Sequence, residues 1–242
     1  MRSAMIIRPL HDLPEMERCV ELQRVTWGLQ DVDLIPVRHL LMQTHIGGLV
    51  LGAFDGDRLA GYASATPGVR SGAPFWYSQM LAVDKDYRNT GIGSGLKLAQ
   101  SDHALREGIH LIEWSFDPLE SKNAHFNIAK LGVIVRRYYI NLYGETTSQL
   151  QKGLESDRAI AEWWIAEPRL QPSGDVRRVY IPADIQALKA QSLKSAQDLQ
   201  LRVREQFLKN LQDDYFVVGF ERKEEWSEYV FVPGASRVHP SH

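Results

Sequence analysis

Between Met80 and Leu96 the chain reads Met-Leu-Ala-Val-Asp-Lys-Asp-Tyr-Arg-Asn-Thr-Gly-Ile-Gly-Ser-Gly-Leu. An apolar run gives way to polar residues and then to glycines at 91, 93 and 95. The pattern predicts a buried strand, a glycine loop and a helix opening at Ile92. A helix N-terminus presents unpaired backbone N–H groups and the positive end of the helix dipole. Glycines let an anion approach that backbone closely, so the segment predicts a phosphate or pyrophosphate site, with Arg88 as a bidentate donor at its mouth. A Walker loop would end in Gly-Lys-Ser/Thr, which is missing here. A dinucleotide fingerprint would need glycine at position 96, where Leu96 stands.

The elements around this segment predict a mixed α/β sheet rather than a repeating βα barrel. Strands are expected at Met5–Arg8, Leu49–Phe54 and Arg58–Thr66, the last broken by Pro67-Gly68 and joined to its partner by the Asp55-Gly56-Asp57 turn. A loop from Ser71 to Pro74 leads into a strand over Phe75–Val83. Helices are expected around Met16, Val20, Leu22 and Val25, and over Pro36–Thr44. After the glycine loop come an amphipathic helix (Ile92–Glu107), a strand (His110–Phe116), a helix (Pro118–Leu131), a strand (Val133–Tyr143), a polar loop and a Trp-rich strand (Ala159–Ile165). Beyond Pro168 the pattern gives a strand at Val179–Ile181, one long helix over Asp184–Leu211 and an antiparallel pair, Tyr215–Phe220 with Glu228–Val232. That tail is too small to bury a large core alone. The expected division is residues 1–168 as one domain and 169–242 as an extension packed on it.

Arg88-x-x-Gly91-x-Gly93 after a strand resembles the acyl-CoA signature of the GNAT superfamily of N-acetyltransferases. Downstream, Ser121-x-x-Ala124 leading to Lys130-Leu131-Gly132 resembles that family's second helix motif, with Ser121 at its Asn position. The resemblance covers about residues 4–168. Tyr77-Ser78-Gln79-Met80-Leu81, Trp114 to Leu119, Ala124 to Asn127, Tyr143-Gly144 and Asp157-Arg158 resemble more narrowly a bacterial subgroup of acetyltransferases with a C-terminal extension. The fold implied is the GNAT-type α/β (α+β) fold: a mixed, mostly antiparallel central sheet with helices on both faces, plus a C-terminal α/β extension. The co-substrate implied is acetyl-CoA or another acyl-CoA, without a metal. The resemblance gives CoA contacts to Leu81, Val83, Arg88, Asn89, Thr90, Gly91, Ile92, Gly93, Ser94, Ser121 and Asn123. It also gives the Leu81 backbone N–H the task of polarising the thioester carbonyl.

The remaining catalytic groups are harder to place. Gln79 stands where many family members carry a carboxylate, and an amide takes no proton at neutral pH. Strand alternation puts Glu113, Ser115 and Asp117 on one face, so Glu113 and Asp117 are candidate bases. Asp117 with Pro118 and Glu120 also reads as a helix capping box. The family's tyrosine acid position holds Ile128, which leaves Tyr138, Tyr139 or Tyr143 as substitutes, Tyr138 foremost. The implied activity is transfer of an acetyl or larger group, such as succinyl, from acyl-CoA to a primary amine by direct transfer. The alternative is a non-catalytic acyl-CoA-binding or regulatory module.

Charge narrows the partners. Lys and Arg number 28 against 30 Asp and Glu, for a formal charge of −2. A broad basic surface for nucleic acid or anionic membrane is therefore not expected. A small-molecule amine or amino-acid-like acceptor is. Cys19 is the single cysteine, which excludes an intrachain disulfide and a cysteine-based zinc site. Met1–Pro14 lacks the apolar segment of a secretory signal, so a cytoplasmic chain is expected. The long C-terminal helix is expected to complete the acceptor side or to mediate a homodimer.

Overall fold

The computed structural model describes residues 5–148 and 150–234. The chain forms two compact units, one running to Ile112 with Thr147 and Ser148, the other comprising Glu113–Thr146 and the chain from Leu150 onward. Residues beyond 168 thus share a unit with the strand–helix–strand segment that follows Ile112.

In the first unit, β1 (Met5–Pro9), β2 (Leu49–Asp55), β3 (Arg58–Arg70) and β4 (Ala73–Val83) form an antiparallel meander in that order. Helices α1 (Leu13–Trp27) and α2 (Val37–His45) lie between β1 and β2 in sequence. They bury Met16, Cys19, Leu22 and Leu40 with Val50, Phe54, Leu59, Tyr62 and Ala82 of the strands. Helix α3 (Ile92–Arg106) follows β4 through the glycine loop.

The expected break at Pro67-Gly68 does not occur, and β3 continues to Arg70. Pairing with β2 ends at Ala65, so beyond that point β3 has only β4 beside it, the setting in which a strand tolerates proline. The expected Ser71–Pro74 loop shrinks to Ser71-Gly72, both at positive φ, a two-residue hairpin turn of the kind that matches strand twist. The buried face of α3 also departs from expectation. Ile92, Leu96 and Ala104 share it with Lys97, Gln100 and Ser101, while Leu98 and Leu105 are exposed.

In the second unit, β5 (Leu111–Phe116) lies beside β7 (Arg158–Trp164), followed by β6 (Ile134–Tyr139), β9 (Tyr215–Arg222), β10 (Trp226–Pro233) and β8 (Arg177–Pro182). Pairings β6–β7, β6–β9, β9–β10 and β10–β8 are antiparallel. The fold is mixed α/β with mostly antiparallel strand pairing, and the C-terminal strands extend the sheet of this unit.

The long C-terminal helix is two helices, α5 (Ile185–Gln191) and α6 (Leu193–Gln212). Ser192 adopts an extended backbone and accepts the Ser195 N–H, because a serine hydroxyl satisfies a free helix N–H better as a cap than inside a helix. Phe207 of α6 packs edge-on to Tyr229 and Phe231 and lies against Tyr138. The expected Pro118–Leu131 helix begins later, as α4 (Ser121–Ala124), and passes into a π-helical segment, His125–Leu131. The capping box does not form either. The Asp117 carboxylate accepts the Leu119 N–H at 2.8 Å, closing a local turn ahead of the helix. The strand expected to reach Tyr143 stops at Tyr139, where the chain turns and Asp157 accepts the Asn141 N–H at 3.0 Å.

Candidate acyl-CoA site

The glycine loop is held by contacts within the first unit. Tyr87, buried, donates its hydroxyl to Asp55 at 2.9 Å. Arg58 bridges Asp84 and Asp86 at 2.9 and 2.7 Å and lies over the Tyr87 ring. Thr90 closes the turn by donating to the Tyr87 carbonyl at 2.6 Å. These contacts fix Lys85–Thr90 against β2 and β3 and so set where α3 begins.

Helix α3 starts without a side-chain cap. Gly91 occupies the N-cap at φ +92°, and the first helical hydrogen bond runs from Gly95 N–H to the Gly91 carbonyl at 2.9 Å. The amides of Ile92, Gly93 and Ser94 precede that bond, and the first turn contains no acidic residue. By contrast α1, α5 and α6 are capped by Asp12, Asp184 and Ser192. An uncapped helix start with free amides offers hydrogen-bond donors to an anion.

Gly93 adds a sharper observation. A Cβ placed there would meet only Val83 Cγ2 at 3.8 Å and Leu81 Cδ2 at 4.0 Å, ordinary contacts, and its φ is not positive. Neither packing nor backbone conformation requires glycine at 93, so the missing side chain leaves open space over the amides. Gly91 differs, because its positive φ is one that glycine adopts at little cost. Arg88 and Asn89 are exposed beside this opening, Asn89 at φ +62°. The Arg88 backbone N–H donates to the Lys85 carbonyl, and no hydrogen bond or ion pair of its guanidinium is found among the described residues, so that group is available to a ligand.

Strand β4 brings Leu81 and Val83 to the side-chain surroundings of Gly93. Ala65 pairs with Ser78 and Ser64 with Met80, so Gln79 is the extra residue of a β-bulge. The bulge aims Gln79 at α2. Its Oε1 lies 2.7 Å from Gln43 Nε2 and 3.1 Å from His39 Nε2, with Thr66 Oγ1 at 3.4 Å. His39, Gln43 and Thr66 were not singled out by the sequence. The available signal was His39 and Gln43 four residues apart on one helix face.

The second unit accounts for the other candidates. Glu113 is 1% exposed and ion-paired with Arg137, which also reaches Glu162 at 3.3 Å, while Arg136 holds Glu162 at 2.8 Å. Its carboxylate is therefore engaged by a buried network. Asp117 lies among Arg158, Glu120 and Asp157, and burial pushes its carboxyl up to about 6 against the pull of Arg158. Tyr138 donates to Asp157 at 2.6 Å, and burial followed by that bond pushes its phenol far above the ordinary range. Ser115 Oγ lies 2.7 Å from the Tyr143 hydroxyl. Ser121 is buried with its hydroxyl 2.7 Å from that of Ser227 on β10, whereas Asn123 is exposed and accepts from Asn127. Ile128 is buried, and among the described residues no cluster of three or more His, Cys, Asp or Glu is placed to hold a metal. Nor is any described helix long and apolar enough to cross a membrane.

Comparison with known proteins agrees with the fold. A GNAT-family protein from Desulfovibrio desulfuricans is 14% identical over 66% of this chain and 98% of its own, with a TM-score of 0.54. Arabidopsis thaliana NAA60 in complex with a bisubstrate analogue is 16% identical over 67% of this chain and 99% of its own, TM-score 0.52. A GNAT family acetyltransferase from Elizabethkingia anophelis with acetyl-CoA bound is 15% identical over 66% and 98%, TM-score 0.50. No curated protein matches the sequence. Residues 15–132, which include β4, the glycine loop and α3, match the family model Acetyltransferase (GNAT) family. Over that span the chain is similar to the acetyltransferase domain of the GNAT family.

Proposed function

We propose that the protein is a CoA-dependent N-acyltransferase that moves an acetyl group from acetyl-CoA to a primary amine by direct transfer. The observation that carries this reading is the uncapped start of α3, with free amides at Ile92, Gly93 and Ser94 beneath the opening at Gly93. A pyrophosphate carries the charge and acceptor oxygens such a site needs, and the free Arg88 guanidinium adds a bidentate donor. Asn89 and Thr90 complete the loop around it, and the Val83 backbone pairs with the pantetheine arm.

The thioester then runs along β4, where the Leu81 N–H polarises its carbonyl. The amine nitrogen attacks that carbon, the C–S bond breaks and the thiolate leaves. Of the candidates in the second unit, Glu113 and Tyr138 are tied to internal partners and Asp117 accepts the Leu119 N–H, so none of the three is assigned the proton of the amine. Asn123, exposed on α4, is the better CoA contact of the second motif than Ser121, whose hydroxyl Ser227 occupies. An acceptor of the small-molecule or amino-acid-like class suits the near-neutral charge. The fold neighbour with acetyl-CoA bound supports acetyl as the acyl group.

A second reading, a non-catalytic acyl-CoA-binding module, is favoured by Gln79 and Ile128 standing where proton-transfer groups stand in the family. Release of free thiol from acetyl-CoA, measured with a panel of primary amines, separates the two. Amine-dependent release above hydrolysis is expected. Tight acetyl-CoA binding with no release would favour the module.

A further inference from the structure

We propose that His39 takes the proton of the attacking amine and that the bulged Gln79 positions it. This rests on the acyl-transfer reading and supplies the base that reading lacks.

Gln79 itself has no proton-accepting lone pair on nitrogen at neutral pH. What it does have is a fixed orientation. Gln43, buried on α2, donates to Gln79 Oε1 at 2.7 Å and to Thr66 Oγ1 at 2.7 Å. In this arrangement Gln79 presents its oxygen to α2. The same oxygen lies 3.1 Å from His39 Nε2. An amide oxygen only accepts, so His39 Nε2 carries the hydrogen and Nδ1 keeps its lone pair. In that arrangement Gln79 holds the tautomer that is a base at Nδ1.

The placement suits the chemistry. Gln79 lies two residues before Leu81 on β4, and the bulge turns its side chain toward α2. His39 is exposed, which gives an incoming amine access to it. In the step proposed, the nitrogen–carbon bond forms and the carbon–sulfur bond breaks, its electron pair leaving on the CoA sulfur. The proton lost by nitrogen passes to His39 Nδ1 and from there to solvent, and the thiolate takes up a proton from solvent. Overall, an amine and an acyl thioester become an amide and a thiol.

The test pairs kinetics with a tautomer measurement. Substituting His39→Gln is expected to lower kcat by about 10²–10⁴-fold with acetyl-CoA and the best amine of a panel comprising an amino acid, a polyamine, an aminoglycoside and an unblocked peptide. The melting temperature and the KM for acetyl-CoA should hold. Nitrogen-15 NMR of the wild-type imidazole should show His39 protonated at Nε2, and Gln79→Leu should mix the tautomers while Gln79→Glu keeps the Nε2–H form. A kcat unchanged in His39→Gln, or a wild-type Nδ1–H tautomer, overturns the proposal. Acetyl-CoA binding without turnover by the wild type would defeat the acyl-transfer reading, and this role with it. Turnover with an unaffected His39→Gln variant would defeat this role alone.

Discussion

Tyr138 donates its phenol hydrogen to Asp157 at 2.6 Å, and Asp157 in turn accepts from Arg204 Nε at 2.8 Å. The phenol is thereby part of an internal network that joins β6, α6 and the turn after Tyr139, and is not poised to give up a proton. Replacing Tyr138 by Phe removes one hydrogen bond but leaves Asp157 its bonds from Arg204 and Asn141. The expected loss is about 1 kcal/mol of stability. Turnover per folded molecule should be unchanged, which urea denaturation alongside steady-state kinetics would check. A hundredfold fall in kcat would restore Tyr138 as a proton donor.

Arg204 is the other end of that network, and its removal should cost more. Asp157 is 1% exposed, so Arg204→Ala leaves a buried carboxylate without its cation. Breaking one partner of such a pair costs about 3–5 kcal/mol. Chemical denaturation of Arg204→Ala should show a loss of that size, and a change under 1 kcal/mol would contradict the role assigned to the network.

Asp117 makes stability depend on pH in a defined direction. Burial raises its folded-state value to about 6, while the unfolded chain titrates near 3.9. Between those values the native state binds more protons than the unfolded state. The stabilising effect of the protonated carboxyl is therefore complete below about pH 4 and is lost as pH rises through 6. Relative to Asp117→Asn, which keeps the oxygen that accepts from Leu119, the wild type should lose up to about 3 kcal/mol over that interval. Parallel stability curves for the two proteins would contradict it.

Glycines 91 and 93 should behave oppositely. Ala at 91 must hold a positive φ, which costs about 1–2 kcal/mol. Ala at 93 meets only ordinary contacts and, in a helix, should leave stability unchanged or raise it by up to about 1 kcal/mol. Thermal unfolding of the two variants without ligand would check this, and destabilisation by Gly93→Ala would show that the fold, not a ligand, requires that glycine.

Much of this architecture was legible in the residues, and the misses have physical causes. The strand–glycine loop–helix unit stands out because apolar periodicity and glycine spacing act locally. Pro67 misled because proline breaks a strand only where its missing N–H is needed, and the number of neighbours a strand has is a tertiary fact. Ser192 was visible as a gap in the apolar stripe, but whether a serine caps or is absorbed depends on the backbone around it. Glu113 and Asp117 are read as candidates from alternation alone. Alternation gives the face of Glu113 but not that Arg137, 24 residues away, pairs with it there. Likewise nothing in the spacing of Gln79 shows that a bulge turns it toward His39.

The central claim is that the space over Gly93 belongs to the pyrophosphate of an acyl-CoA. Calorimetric titration of acetyl-CoA into the wild type and Gly93→Ala tests it most directly, with NADH and ATP as controls. The account predicts saturable acetyl-CoA binding by the wild type, binding weakened at least tenfold in the equally stable Gly93→Ala, and no comparable binding of the controls. Equal acetyl-CoA affinity in the two proteins, or preference for NADH or ATP, would contradict it.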